Sequence, residues 1–254
     1  MVSASEQRPF FEDQFGSTYR LIEPGSFTMG SASPFGRPNE MPTHHVSIRE
    51  PFFFGERPVT QLHWASVMGT NPSKFQQGWS SGLRPVECVN LEDVTEFLRR
   101  LNLAEQDMTR MGLKGHWRLP SESEWEFVAR ANSSSRWWFG NQDAELDHHG
   151  WHAGNSGGHT REVGLKKSNP WGIYDMYGLV NEWCADHWVP DYQEARNQLP
   201  HRVDSCSRHV VRGGTWFSES DSTRSGARGY AEMNKRSDGL GLRLVWAPFD
   251  DQSQ

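Results

Sequence analysis

The stretch Asn169-Pro-Trp-Gly-Ile-Tyr-Asp-Met-Tyr-Gly-Leu-Val-Asn-Glu-Trp-Cys-Ala-Asp186 alternates turn residues, aromatics and acids too regularly for a linker. Pro170 and Gly172 mark a turn, Ile173 and Met176 are apolar enough to bury, and Gly178 permits a backbone conformation that a side chain forbids. Asp175 and Glu182 flank that glycine with main-chain carbonyls between them, the hard oxygen donors a calcium ion takes when a loop curls around it. On spacing alone, two solvated acids beside a turn is the better reading.

Upstream, Tyr19 to Met29 alternates around Pro24-Gly25 and predicts two short strands joined as a hairpin. Alternation returns at Pro42-Thr-His-His-Val-Ser-Ile48, and Pro58-Val-Thr60 predicts a helix cap at Thr60, with the helix running from Gln61 to Met68 ahead of Gly69. Asn90 to Asn102 is the clearest helix, because Val94, Phe97, Leu98 and Leu101 share one face at a 3.6-residue period. A second follows Trp117-Arg-Leu-Pro120, where Ser121 and Glu124 have the spacing of a capping box. The chain then turns to loop, crowded with His148, His149, His152 and His159; without fixed ligand spacing these read as ordinary loop histidines rather than a metal cluster. Arg202 to Ser207 reads as a linker, His209 to Trp216 as a buried strand breaking into a glycine turn, and Leu240 to Trp246 as a closing strand.

Composition bounds the function. At 254 residues, with no linker block or internal repeat, the chain predicts one domain over residues 19–247, an N-terminal extension at 1–18 and a tail at 248–254. A mean hydropathy of -0.76 is offset by 12 Trp and 14 Phe, so the core should be aromatic; 24 Gly and 14 Pro keep regular elements short. The net charge of -6 supplies no face for nucleic acid, and no run of apolar residues is long enough to span a membrane. Three cysteines at unrelated spacings (Cys88, Cys184, Cys206) and a start without an apolar leader point to a reducing, cytoplasmic setting, with Cys88 and Cys184 as small buried hydrophobes.

The opening stretch resembles the Gly-Leu-Tyr-Asp-Met-x-Gly-Asn-Val-x-Glu-Trp signature of the formylglycine-generating enzyme, or sulfatase-modifying factor, family, with departures at Leu179 and Asn181. Trp117-Arg-Leu-Pro-Ser-Glu-Ser-Glu-Trp-Glu126, Pro58-Val-Thr60, Arg212-Gly-Gly-Thr-Trp216 and Gly241-Leu-Arg243 are similar to the family's other motifs, in the family's order. The resemblance implies an α+β fold: an irregular C-type-lectin-like domain with a small twisted antiparallel sheet, two main helices and much ordered loop. It also implies structural calcium, held by the side chains of Asp175 and Glu182 and the carbonyls of Gly178 and Val180.

The family's oxidase converts a sulfatase cysteine to formylglycine with a copper(I)-binding cysteine pair in the loop after Arg-Gly-Gly. Here that loop, 217–230, holds no cysteine; Ser218 and either Ser220 or Thr223 stand at those positions, and hydroxyls bind copper(I) poorly. Formylglycine-generating activity and bound copper are therefore not expected. Other branches of the family are variable proteins of diversity-generating retroelements, which display a ligand-binding surface in this same loop. On that likeness the chain is expected to be a catalytically silent module, a pseudoenzyme that presents residues 216–238 to a protein or peptide. Trp216, Ser218, Asp221, Ser222, Arg224, Arg228, Tyr230 and Asn234 are the expected contacts. The alternative is a diverged oxidoreductase acting on a peptide-like or amino-acid-derived substrate. Oligomeric state is not legible.

Overall fold

The computed structural model describes residues 8–32, 34, 36–193 and 207–249; Cys206 and most of the expected 202–207 linker lie outside them. In chain order the elements are β1 (Phe10–Glu12), β2 (Thr18–Ile22), β3 (Gly25–Met29), β4 (His44–Ile48), β5 (Phe52–Gly55), α1 (Gln61–Met68), α2 (Leu91–Ala104), β6 (Gly115–Arg118) and α3 (Glu122–Arg130). They continue with β7 (Gly150–Trp151), β8 (Tyr177–Gly178), β9 (Asn181–His187), β10 (Arg208–Arg212), β11 (Arg228–Glu232), β12 (Leu240–Gly241) and β13 (Val245–Pro248). A five-stranded antiparallel sheet runs β1-β2-β5-β13-β6, and a four-stranded sheet runs β11-β10-β9-β12; β3-β4 and β7-β8 are separate pairs. The fold is the expected α+β, C-type-lectin-like arrangement of few helices, small sheets and long ordered loops.

The helices form where local chemistry demands them. Thr60 accepts the His63 amide at 3.2 Å, and Gly69 ends α1 with φ +76°. Asn90 and Asp93 exchange both bonds of a capping box on α2, as Ser121 and Glu124 do on α3. Val94, Phe97 and Leu101 bury completely on one face of α2.

Two expectations fail. Tyr19 to Met29 is not a hairpin, because β2 pairs with β1 and β5 while β3 pairs with β4; Pro24-Gly25 turns the chain out of one sheet and into another pairing. Within the expected N-terminal extension, Phe10–Glu12 is a strand paired with β2, and its Phe11 stacks on Tyr19 at 5.0 Å. The closing strand is interrupted as well: β12 belongs to the four-stranded sheet and β13 to the five-stranded one. Arg243 is the joint between them.

Two aromatic cores result. One gathers Trp125, Phe127, Trp137, Ile173, Met176, Tyr177 and Cys184; the other gathers Trp64, Phe97, Trp117, Trp183 and Trp246. Trp183 and Cys184 are neighbours on β9 and face opposite cores, as strand alternation requires. The Asn169–Asp186 stretch therefore feeds both.

Candidate functional site

Gly178 has φ +89°, and a Cβ there would lie 1.8 Å from the Trp151 carbonyl oxygen, so only glycine fits. Asp175 and Leu179 also sit in the left-handed region, at φ +57° and +64°. Asn181 has a local use, its Oδ1 accepting the Gly214 amide at 2.9 Å.

One of the four expected calcium donors is already engaged by the chain itself. Glu182 is 1% exposed, and its Oε2 accepts Trp125 Nε1 at 2.7 Å and Arg243 Nε at 3.0 Å. Its Oε1 accepts Arg243 Nη2 at 2.7 Å. The Arg243 guanidinium, wholly buried, also donates to the carbonyls of Gly55 and Tyr174. A fixed cation of the chain thus holds the carboxylate that a calcium ion would need, which corrects the set Asp175, Gly178, Val180 and Glu182 at its Glu182 member. Asp175 is 2% exposed; its Oδ2 accepts the Gly164 amide at 2.6 Å and its Oδ1 has no partner. Burial pushes this carboxyl up to about 6, with the Gly164 amide and the Arg243 charge opposing the rise.

The loop histidines are dispersed: His152 Nε2 meets Asp147 at 2.8 Å, His149 stacks on Phe139 at 4.3 Å, and His159 Nδ1 lies 2.7 Å from the Thr160 carbonyl. Among the described residues no group of three or more His, Cys, Asp or Glu converges for a metal. Cys184 is fully buried as expected, whereas Cys88 is half-buried with φ +62°, burial and Glu87 pushing its thiol up to about 12.

The structure divides the eight expected contacts into three groups. Arg224 and Arg228 are buried and belong to the base of the loop. Arg224 grips Glu40 with two bonds of 2.8 Å, and Arg228 grips Glu122 with bonds of 2.6 and 2.8 Å. Arg212, at the head of the Arg-Gly-Gly turn, reaches Glu122 and Glu126 beside them. Arg228, with Arg212 of β10, bolts to the acids of α3, and Arg224 bolts the loop to the 38–40 turn, which corrects the assignment of Arg224 and Arg228 as ligand contacts; residue spacing cannot tell a buried partner from a ligand.

The second group is the loop tip. Trp216 donates to the Asp238 carbonyl at 2.9 Å, Ser218 Oγ accepts the Thr215 amide at 2.9 Å, and Asp221 pairs with Arg37 at 2.8 Å beside Ser222. The third is the edge strand and its turn: Tyr230 is half-exposed over Trp188 and Arg208, and Asn234 lines a shallow hollow of about 680 Å³ above the start of α2. Thr223 is fully buried and engaged, donating to the Ser220 carbonyl and accepting from Trp137 Nε1 at 3.2 Å.

Sequence reading passed over the partners of Trp216. Phe75 packs edge-on against it at 5.5 Å, Phe217 at 4.7 Å, and His159 lies 6.1 Å from Phe75. Phe75 sits in an irregular segment without periodicity, so only its aromatic character offered a signal.

Residues 11–248 match the Sulfatase-modifying factor enzyme 1-like domain. The chain belongs to the sulfatase-modifying factor family. Among family relatives, the Chaperone protein LppX of Paenibacillus barcinonensis is 26% identical over 89% of this chain and 88% of its own length. The Inactive C-alpha-formylglycine-generating enzyme 2 of Mus musculus is 26% identical over 87% and 83%. The Serine/threonine-protein kinase pkn1 of Chlamydia pneumoniae is 28% identical over 82% of this chain, which spans only 34% of the kinase. Two solved structures share the fold at high overlap. Treponema denticola variable protein 1 has a TM-score of 0.80 and 28% identity, covering 95% of this chain and 99% of its own. PvdO from Pseudomonas aeruginosa has a TM-score of 0.81 and 26% identity, covering 94% and 98%. The family thus includes members named as inactive and as variable proteins, which supports a non-catalytic module.

Proposed function

We propose that the chain is a ligand-binding module of the sulfatase-modifying factor family, presenting residues 216–238 to a protein or peptide. The observation that carries this reading is the division of the loop into a bolted base and a solvent-facing tip. Arg212, Arg224 and Arg228 spend their charge inside the fold, while Phe217, at 48% exposure, and Tyr230, at 50%, face solvent. A rigid platform bearing exposed aromatics among small polar side chains gives contact area at low entropic cost. The hydroxyls at the positions of the copper-binding cysteines also have local tasks: Ser218 caps the Thr215 amide and Thr223 anchors Trp137.

Panning the purified protein against a random peptide library displayed at an internal position tests this reading. Enriched peptides should lose affinity on Phe217→Ala or Tyr230→Ala while the melting temperature holds. Stoichiometric copper or iron in the protein, accompanied by oxygen-dependent turnover of a peptide or amino-acid derivative, would establish the oxidoreductase instead.

A further inference from the structure

A recess of about 230 Å³ opens between β2, β5 and the start of α1, sharing no residue with the 216–238 loop. Its walls combine the apolar Val59, Leu62, Leu83, Val163 and Leu244 with the hydroxyl-bearing Ser17, Thr18 and Thr60, and Arg57 is the charged residue among them. His63 lies against it but is neutral, since burial drops its pKa to about 4. The Arg57 guanidinium packs on the Tyr174 ring at 5.2 Å, and its N–H groups make no hydrogen bond among the described residues. The nearest carboxylate oxygen is that of Glu56, 3.9 Å away, and Glu56 is already paired with Arg20 at 2.7 Å. Asp175, buried behind Gly164, lies within the field of Arg57 but spends one oxygen on the Gly164 amide.

Volume, wall and charge together describe a ligand. The recess is smaller than a typical drug-sized pocket, which spans roughly 300–1,000 Å³, and suits one aliphatic side chain. Arg57 is a lining residue whose guanidinium lies beside Gly164, next to the lining residue Val163, so an anion that it meets sits within a few bonds of that side chain. A C-terminal residue meets this condition, because its α-carboxylate is attached to the carbon that bears the side chain; an internal residue offers a neutral carbonyl there. Guanidinium and carboxylate match as a planar two-bond pair.

Two of the lining residues are themselves outward-facing, Leu62 at 55% and Leu83 at 46% exposure. In the segments that carry the lining residues Leu83 and Val163, Trp79 is 97% exposed and Leu165 60%. The 79–83 turn is tied to the neighbouring segment by Ser80 to Glu162 and by the Val163 amide to Leu83. Such a fringe suits residues preceding a chain end and is more than a free small acid requires. We propose that this recess captures the C-terminus of a polypeptide ending in an aliphatic residue, with the last side chain between Leu62, Leu83 and Leu244 and the α-carboxylate on Arg57.

The test is selection from a peptide library displayed with free C-termini, followed by titration of an enriched synthetic peptide as the acid and as its C-terminal amide. The inference expects enrichment of Leu, Ile or Val at the last position. It also expects a roughly tenfold or greater loss for the amide, and the same loss for the acid on Arg57→Gln with no further loss for the amide on that variant. Leu83→Ser, at a half-exposed site, should weaken both forms equally. Phe217→Ala should leave this affinity unchanged, which separates failure here from failure of the loop reading. Absence of a C-terminal preference, equal binding of acid and amide, or N-acetyl-leucine binding as tightly as the peptide would each overturn it.

Discussion

At the residue scale, Arg243 and Glu182 carry the most weight. Both are essentially without solvent contact, and each satisfies the other through Nε and Nη2. Removing one partner of such a pair strands the other charge in the interior, at a cost of about 3–5 kcal/mol. Arg243→Met and Glu182→Gln are therefore each expected to lower the denaturation midpoint sharply, with the double variant less destabilised than the sum. Because Arg243 already supplies the positive charge beside Glu182, addition of a calcium chelator to the wild type should leave its melting curve unchanged. Asp175 gives a pH signature. Its folded pKa is raised from 3.8 to about 6, so the folded form holds the proton more tightly than the unfolded chain does. The associated stability is fully present below about pH 4 and is lost as pH rises through about 6. Asp175→Asn keeps an acceptor for the Gly164 amide and tolerates a left-handed backbone, so it should stabilise the protein at pH 7.5 by about 3 kcal/mol. Urea unfolding at pH 5 and 7.5 measures this, and an unchanged difference between the two pH values would contradict it.

At the element scale, the bolts between α3 and the loop decide what the loop can do. Glu122 sits in the first turn of α3 and receives both Arg212 and Arg228, so Glu122→Gln should loosen β11 and the loop base together. Amide exchange is expected to speed up across residues 224–232 more than across α2, whose capping box and apolar face are independent of it. The same elements show which parts of the fold were legible. α2 and α3 carry their start signals in the sequence, since Asn90 and Ser121 act on residues three positions away. Strand pairing is not local: the alternation of Tyr19 to Met29 reports two strands correctly but says nothing of their partners, and the expected hairpin dissolved into two different pairings. Arg224 and Arg228 were misread for the same reason. Their acids, Glu40 and Glu122, lie 184 and 106 residues away in sequence.

At the scale of the whole molecule, the chain folds around two aromatic cores joined by β9 and clasped by Arg243, leaving the 216–222 tip and the 230–234 edge as outward surface. The family motifs were readable because they are core and turn residues whose identity the fold dictates: Gly178 has no room for a Cβ, and Trp183 is fully buried. The proposed contact surface was only half readable, since exposure rather than residue type separates Phe217 and Tyr230 from the buried arginines between them. The claim that this surface, on an otherwise rigid scaffold, is the business end of the molecule is tested most directly by hydrogen–deuterium exchange with and without a peptide enriched by internal-display panning. Protection confined to residues 216–222 and 230–234, with α2 and the five-stranded sheet unchanged, is the predicted result; protection that spares the loop and falls elsewhere would contradict it.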